Sequence, residues 1–372
     1  MIYLDSAATS FYKPEQVHTA VLEAMRTMAS PGRGAYAPAM LAADCCYACR
    51  EAVAAFFHVP QPDQVVFTFN ATHALNIAIR SLVRDGTRVL ISGYEHNSVT
   101  RPLHALNASV RVLDTPLFRP DLFLARAQEE LERAEVVICT HVSNVFGYIL
   151  PVEALAELCR ARGAALIVDA SQSAGVLPLD FAALGADFAA MPGHKGLMGP
   201  QGTGVLLCKN DAFPLLYGGS GSASLAQTMP EFLPDRLEAG THNVCGIAGL
   251  RAGVEYVLER GCGSIRSREC ALMRRFADGI RDTPLRLFLS DDPSLQTAVL
   301  SALPQGMDAD TLADALSGDG VAVRAGLHCA PNAHRTAGTI ASGTVRFSFS
   351  PFNTEQQVDR AAEICRKILK NA

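Results

Sequence analysis

The chain has 372 residues, 49% hydrophobic and 19% charged, with a formal net charge of −5 and no Trp. That length exceeds what most single hydrophobic cores support, so two packed domains are expected. The small negative charge gives no electrostatic reason to bind nucleic acid or an anionic membrane, and no apolar run is long enough to span a bilayer.

The opening segment, Met1-Ile2-Tyr3-Leu4-Asp5-Ser6, lacks the basic start and apolar block of a signal peptide, so a cytoplasmic location is expected. Eleven cysteines in a large intracellular chain predict free thiols rather than a disulfide framework. Cys45, Cys46 and Cys49 cluster in an Ala-rich stretch, Leu41 to Phe57, that reads as helix. Cysteine there serves as a small apolar residue. The histidines are scattered without paired spacing, so no metal site is expected.

Short apolar runs alternate with longer segments of helical period, which predicts parallel strands covered by helices. In chain order the strands are Gln64–Phe69, Arg88–Ser92, Val110–Leu113, Val136–His141, Ala165–Asp169, Phe188–Met191 and Gly204–Cys208. Several end in a polar residue or a turn, and in an open parallel sheet that edge is where ligands bind. The pattern changes near residue 250. A helical stretch, Ala252–Arg281, precedes strands at Arg286–Leu289 and Gln296–Ala302 and a helix at Ala309–Leu316. Strands at Val321–Arg324 and Val345–Ser348 follow, and Thr354 with Gln357 forms a capping box for the last helix. The expected architecture is an α/β chain with a large domain on a mostly parallel seven-stranded sheet and a smaller C-terminal α+β domain. Its divisions would be an arm over 1–14 packing on the small domain, a large domain over 15–250 and a small domain over 251–372.

Three segments carry chemistry. Asp169 ends an apolar strand, where its carboxylate either faces a ligand or caps the next element. Lys195 sits in Pro192-Gly193-His194-Lys195-Gly196, between two apolar strands and beside glycines that let a ligand approach. A desolvated Lys has a depressed pKa and becomes a usable amine nucleophile, although most lysines are simply solvated. An Asp that keeps a pyridine nitrogen protonated, with an amine that forms a Schiff base, is the pair pyridoxal 5′-phosphate (PLP) requires. The third segment, Asn70-Ala71-Thr72-His73, opens a helical pattern and offers N–H groups and a hydroxyl to a phosphate, or an ordinary cap. His96, after the Arg88–Ser92 strand, either lies flat on an aromatic cofactor or is a satisfied turn residue.

Taken together, Thr72, His96, Asn144, Asp169-x-x-Gln172 and His194-Lys195 resemble, in this order, the class V aminotransferase branch of fold-type I PLP enzymes. Within it the chain looks like the cysteine desulfurase and selenocysteine lyase group, from Tyr3-Leu4-Asp5 to Asn353-Thr354. The resemblance implies that Lys195 carries the cofactor and moves the substrate Cα proton, and that Asp169 pairs with the ring nitrogen. Gln172 and Asn144 would contact the ring hydroxyl side or the substrate, and His96 would stack on the ring. Ala71, Thr72, His73 and His194 would surround the phosphate, with Thr241 of Glu238-Ala239-Gly240-Thr241 arriving from a second subunit. A homodimer with shared sites is therefore implied.

Arg324-Ala325-Gly326-Leu327-His328-Cys329-Ala330 resembles the desulfurase loop that carries the nucleophilic cysteine. Its glycine, with Arg324 and His328, favours an exposed, activated thiol over one more buried cysteine. Arg324, His328 and Asn144 would also meet the substrate. Arg346 matches the arginine that binds the substrate carboxylate, as a bidentate guanidinium can. The implied reaction takes L-cysteine to L-alanine with a persulfide on Cys329, from which an acceptor thiol or protein removes the sulfur. Seventeen positions separate Cys329 from Arg346, which resembles the short-loop desulfurases. Two residues depart from the group: Pro192 replaces a phosphate-binding Ser, and Leu327 replaces a His. L-Selenocysteine or cysteine sulfinate as substrate remains open, as do the pathways (iron–sulfur cluster assembly, thio-cofactor synthesis, selenium metabolism). A class V aminotransferase, epimerase or kynureninase-like enzyme with an idle Cys329 is one rival. A non-catalytic nucleotide-binding protein is the other, but the glycines of Gly199–Gly204 precede a strand rather than joining strand to helix.

Overall fold

A computed structural model describes residues 1–32, 34–209 and 212–370. In chain order the elements are β1 (Ile2–Tyr3), α1 (Glu15–Thr27), α2 (Ala37–Phe57), β2 (Val65–Thr68), α3 (Ala71–Leu82), β3 (Arg88–Ser92) and α4 (Asn97–Ala105). Next come β4 (Ser109–Leu113), α5 (Pro120–Glu130), β5 (Val136–Thr140), α6 (Val152–Arg162), β6 (Ala165–Asp169), α7 (Phe181–Leu184), β7 (Phe188–Pro192) and β8 (Gly204–Cys208). Two long helices follow, α8 (Val244–Arg260) and α9 (Cys262–Gly279), then β9 (Leu285–Phe288), β10 (Val299–Pro304) and α10 (Ala309–Gly318). The last elements are β11 (Val321–Ala322), β12 (Arg324–Gly326), α11 (Pro331–Thr336), β13 (Thr344–Ser348) and α12 (Glu355–Lys370).

Seven strands form one sheet in the order β2-β8-β7-β6-β5-β3-β4. Only β8 opposes its neighbours; the pairs among β3 to β7 are parallel. Because helices cover both faces, the central strands are apolar at successive positions rather than alternately. Leu90, Val137 and Leu166 pack toward α2 and α6, while Val89, Ile138 and Ile167 pack toward α3 and α4. A four-stranded antiparallel sheet, β12-β13-β10-β9, has its own core against α9, α10 and α12. The capping box predicted for α12 is formed: Gln357 N–H donates to Thr354 Oγ1 at 3.2 Å, and Thr354 N–H to Gln357 Oε1 at 3.1 Å.

The small unit differs from the sequence expectation in two places. The helical stretch Ala252–Arg281 is two helices that meet at Gly261, whose φ of 78° ends α8 and lets the chain turn into α9. The stretch Val321–Arg324 is split between β11, which pairs with β1, and β12, which joins the four-stranded sheet. Residue 250, the expected division, lies inside α8. The first residues tie the two units together. β1 lies parallel to β11, Asp5 bridges to Ser348, and Ser10 N–H donates to the carbonyl of His194 at 2.9 Å.

All eleven cysteines are free, and Cys45, Cys46 and Cys49 are buried in α2. Among the described residues there is no grouping of three metal-ligating side chains, and no helix is long and apolar enough to cross a membrane.

Candidate active site

The carboxyl ends of the central strands open into a cavity of about 210 Å³. β6 delivers Asp169, only 3% exposed, with one carboxylate oxygen accepting from Ser171 N–H at 2.9 Å. The neighbouring β7 runs into the turn that carries Lys195. A side chain at Gly196 would collide with the carbonyl of Ala174, so glycine is required for this turn to pack against the segment after β6. Burial lowers the Lys195 amine to about 8; Asp169 opposes that shift, and Arg346 and Arg324 add to it. The neutral share of the amine near neutral pH is therefore far larger than for a solvated lysine, as a nucleophile or base needs.

Above the strand ends, Asn70 caps α3 by accepting from His73 N–H at 2.9 Å. The N–H groups of Ala71 and Thr72 in that first turn remain for an anion. Thr72 Oγ1 lies 3.0 Å from Ser98 Oγ, which in turn lies 2.7 Å from His96 Nδ1. His96 is the N-cap of α4, and Nδ1 also accepts from Ser98 N–H at 3.1 Å. Burial lowers its pKa to about 4, so the ring is neutral with its proton on Nε2. His194 is lowered to about 4 by burial as well, and its Nδ1 lies 3.0 Å from Thr9 Oγ1. Gln172 donates to the carbonyl of Ala7 at 2.9 Å.

The small unit closes the other side. Arg346 on β13 is 1% exposed; Nη2 donates to Asp5 Oδ1 at 2.7 Å and Nη1 to the carbonyl of Asn144 at 2.9 Å. Nε is buried without a partner, so Nε–H and one N–H on each terminal nitrogen are left for a bidentate carboxylate.

Cys329 stands exposed on the loop between β12 and α11, beside the cavity rather than in its wall. His328 and Cys329 both have positive φ, 52° and 56°, an uncommon conformation for such residues that must be held by its surroundings. Three kinds of contact hold it. Asn97 N–H donates to the Cys329 carbonyl at 2.7 Å, and Asn144 Nδ2 donates to the His328 carbonyl at 2.8 Å. Beneath them runs a buried chain: Thr339 Oγ1 lies 2.8 Å from His334 Nδ1, His334 Nε2 lies 3.4 Å from His328 Nδ1, and His328 Nε2 lies 3.2 Å from the carbonyl of Arg324. That carbonyl can only accept, so each step runs one way from the Thr339 hydroxyl, with both rings neutral. Burial lowers His328 to about 2 and His334 to about 4, in keeping with that assignment. Arg324 Nη2 lies 3.9 Å from Cys329 Sγ.

Ala71, Thr72, His96, Asn144, Asp169, Gln172, His194, Lys195, Arg324, His328 and Arg346 thus line one cavity, together with Pro192. His73 and Thr241 do not. They line a separate cavity with Glu238 and His242. His73 follows Thr72 by one helical step of about 100°, which turns its ring onto Phe69 (ring centroids 4.6 Å apart) instead of toward Lys195. Thr241 is exposed on a loop whose Glu238 carboxylate is held by Arg50 Nη1 at 2.7 Å, Phe67 N–H at 2.6 Å and His242 Nε2 at 2.6 Å. Residues that sequence reasoning did not single out are Asp5, Ser98, His334 and Glu95. Glu95 is fully buried, accepts from Ser92 Oγ at 2.5 Å and Thr140 N–H at 2.7 Å, and is raised by burial to about 8.

The donor set suits PLP. Asp169 would hold a protonated ring nitrogen, Lys195 the aldehyde carbon, and Ala71, Thr72 and Ser98 the phosphate, while Arg346 borders the same cavity. Bound there, the group would act as an electron sink for the substrate Cα.

Comparison with known proteins supports this. The family model for aminotransferase class-V matches residues 2–361, and the chain belongs to that family of fold-type I, PLP-dependent enzymes. Its similarity is to a particular group within the family. A probable cysteine desulfurase of Pyrococcus abyssi (strain GE5 / Orsay) is 32% identical over 386 residues, covering 100% of this chain and 95% of the relative. A probable cysteine desulfurase of Methanothermobacter thermautotrophicus is 32% identical over 388 residues, covering 99% of this chain and 94% of the relative. The apo structure of a cysteine desulfurase from Thermococcus onnurineus NA1 matches with a TM-score of 0.90 and 30% identity, over 100% of this chain and 95% of that one.

Proposed function

We propose that this chain is a PLP-dependent cysteine desulfurase that converts L-cysteine to L-alanine and leaves the sulfur as a persulfide on Cys329. The observation that carries the reading is that Lys195 and Arg346 line one cavity while Cys329 stands on the loop at its rim, 3.9 Å from Arg324. Arg346 orients the substrate carboxylate, and Lys195 takes the Cα proton and returns it. The Cys329 thiolate attacks the substrate sulfur. The Cβ–S bond breaks and an S–S bond forms, so cysteine plus the enzyme thiol gives alanine plus the enzyme persulfide, with no outside oxidant. An acceptor thiol then removes the outer sulfur by exchange, which the exposure of Cys329 permits. Thr241 points away from the Lys195 cavity of its own chain, which suits a residue that completes the site of a second copy, so a homodimer belongs to this reading. So does a cytoplasmic location.

Product analysis with L-cysteine, L-selenocysteine and cysteine sulfinate side by side tests it. With a thiol reductant present, the expected result is alanine and sulfide in equal amounts from cysteine, with sulfide release lost in Cys329→Ala. Full sulfide release by that variant would eliminate the persulfide step.

A further inference from the structure

Lys195 also borders a second cavity, of about 50 Å³. It lies in the seam between the two sheets and is lined by Ser6, Ser10, Gln172, Thr297, Ser348 and, from α9, Glu269. The Glu269 side chain has no hydrogen bond or ion pair among the described residues, although the residue is only 7% exposed. A buried carboxyl without a partner costs several kcal/mol unless water or a ligand meets it. Ser6 Oγ is likewise buried and unpartnered. A polar cavity of that size has room for a few waters to meet the Glu269 carboxyl.

The charged groups around Glu269 are engaged elsewhere. On its own helix, Arg266 donates to the carbonyls of Pro293 and Ser294, and Arg274 to that of Ser290. Arg268 and Arg275 pair with Glu355 and Asp359 of α12. On α8, Arg251 pairs with Glu255 and Arg260 lies over the Tyr256 ring. β10 carries no ionisable side chain. On the arm, Lys13 donates to Ser10 Oγ at 2.8 Å and Asp5 is taken by Arg346. Cys270, next in sequence, turns its thiol toward the carbonyl of Gln296. With none of these cations paired to the carboxylate, burial raises Glu269 to about 8.

We propose that Glu269 exchanges protons with Lys195 through the waters and hydroxyls of this seam cavity. This rests on the desulfurase reading, in which Lys195 must gain and release a proton while substrate fills the front of the site. A buried acid on the same water-sized cavity can take up that proton and give it back.

The test compares the holoenzyme with E269Q, in which the amide keeps the shape of the neutral acid. Each turns over Cα-deuterated L-cysteine in ordinary water, and mass spectrometry reads the deuterium left at Cα of the alanine. Wild type should wash most of it out, and E269Q should retain about tenfold more. Equal retention in the two overturns the proposal, as does full retention by wild type. Because retention is a partition ratio, a merely structural loss of activity does not move it. Infrared titration of both proteins without cofactor is the second measurement. A carboxyl that ionises near pH 8 in wild type should vanish from the difference against E269Q, and a Glu269 that ionises in the usual carboxylate range overturns the proposal. A wild-type chain that makes no alanine overturns the desulfurase reading instead, and the infrared titration still decides the state of Glu269. Should E269Q not fold, the wild-type retention and S6A, which removes a hydroxyl from the seam, serve in its place.

Discussion

In the proposed reading Lys195 and Cys329 are the two nucleophiles of one site, and they are built in opposite ways. Lys195 hangs from a central strand in a turn locked by close backbone packing, and desolvation, helped by Arg346 and Arg324, lowers its amine to about 8. Cys329 is exposed on a loop of the small unit, and its geometry is imposed through its backbone by Asn97, Asn144 and the His328–His334 chain. The contrast suits the tasks proposed for them. An amine becomes a base when water is removed, whereas a thiol that hands sulfur to another molecule must stay within reach of it. Burial makes the first residue and strapping holds the second.

Substitutions should separate the two. The largest effect is expected from Lys195→Ala, which should lower alanine formation by several orders of magnitude and remove the cofactor linkage that borohydride fixes to the chain, read by intact mass. Arg346→Lys keeps the charge but loses the fork. It should raise KM for cysteine about tenfold with a smaller change in kcat, since a charge-assisted hydrogen bond contributes about 1.5–3 kcal/mol. His334→Ala should act on the strap alone. It leaves His328 Nδ1 buried and unpaired, so stability should fall by about 1–3 kcal/mol and sulfide release should drop, while the absorbance of the Lys195-bound cofactor stays unchanged. If that absorbance shifts, the two constructions are not independent.

The smallest effect is a pH dependence of melting temperature in the cofactor-free protein. His96, His141, His194 and His334 are lowered to about 4 and His328 to about 2, against about 6.5 in a free chain. Their contribution is present above about 6.5 and is lost as pH falls toward those values. Glu95 and Glu269 have the opposite sign. Raised to about 8, they contribute fully below about 4.5, and that contribution is lost as pH rises through about 8. Five histidines outweigh two acids on the lower limb, so the melting temperature should climb from pH 5 to about 6.5 and then decline toward about 8. E269Q should flatten the declining limb.

Much of the site was readable because parallel strands announce themselves twice, by an apolar run and by the polar residue that ends it. Asp169 and Lys195 were found that way, and both border the cavity. The facing of His73 was within reach too, since a helix that turns Thr72 to one side turns the next residue away. The break at Gly261 had a signal in Gly261-Cys262-Gly263, but the helical period on both sides masked it. Glu95, Glu269 and His334 had none. A buried acid or imidazole reads in sequence like any surface polar residue, and only the packing of distant segments takes its water away. The same holds for Arg50 and Glu238, which are 188 positions apart and share one buried ion pair.

The parallel pairing of β1 with β11 also bears on the order of assembly. Ile2 and Tyr3 find their strand partners at Val321 and Ala322, and Asp5 finds Arg346, so contacts at the start of the chain close only after nearly all of it has been synthesised. During translation the large sheet has every strand it needs while the arm still lacks its partners. The arm then docks onto a finished small unit and brings the Ser6 and Ser10 walls of the seam with it. A bulky fusion placed ahead of Ile2 would therefore disturb substrate binding before it disturbed the large sheet.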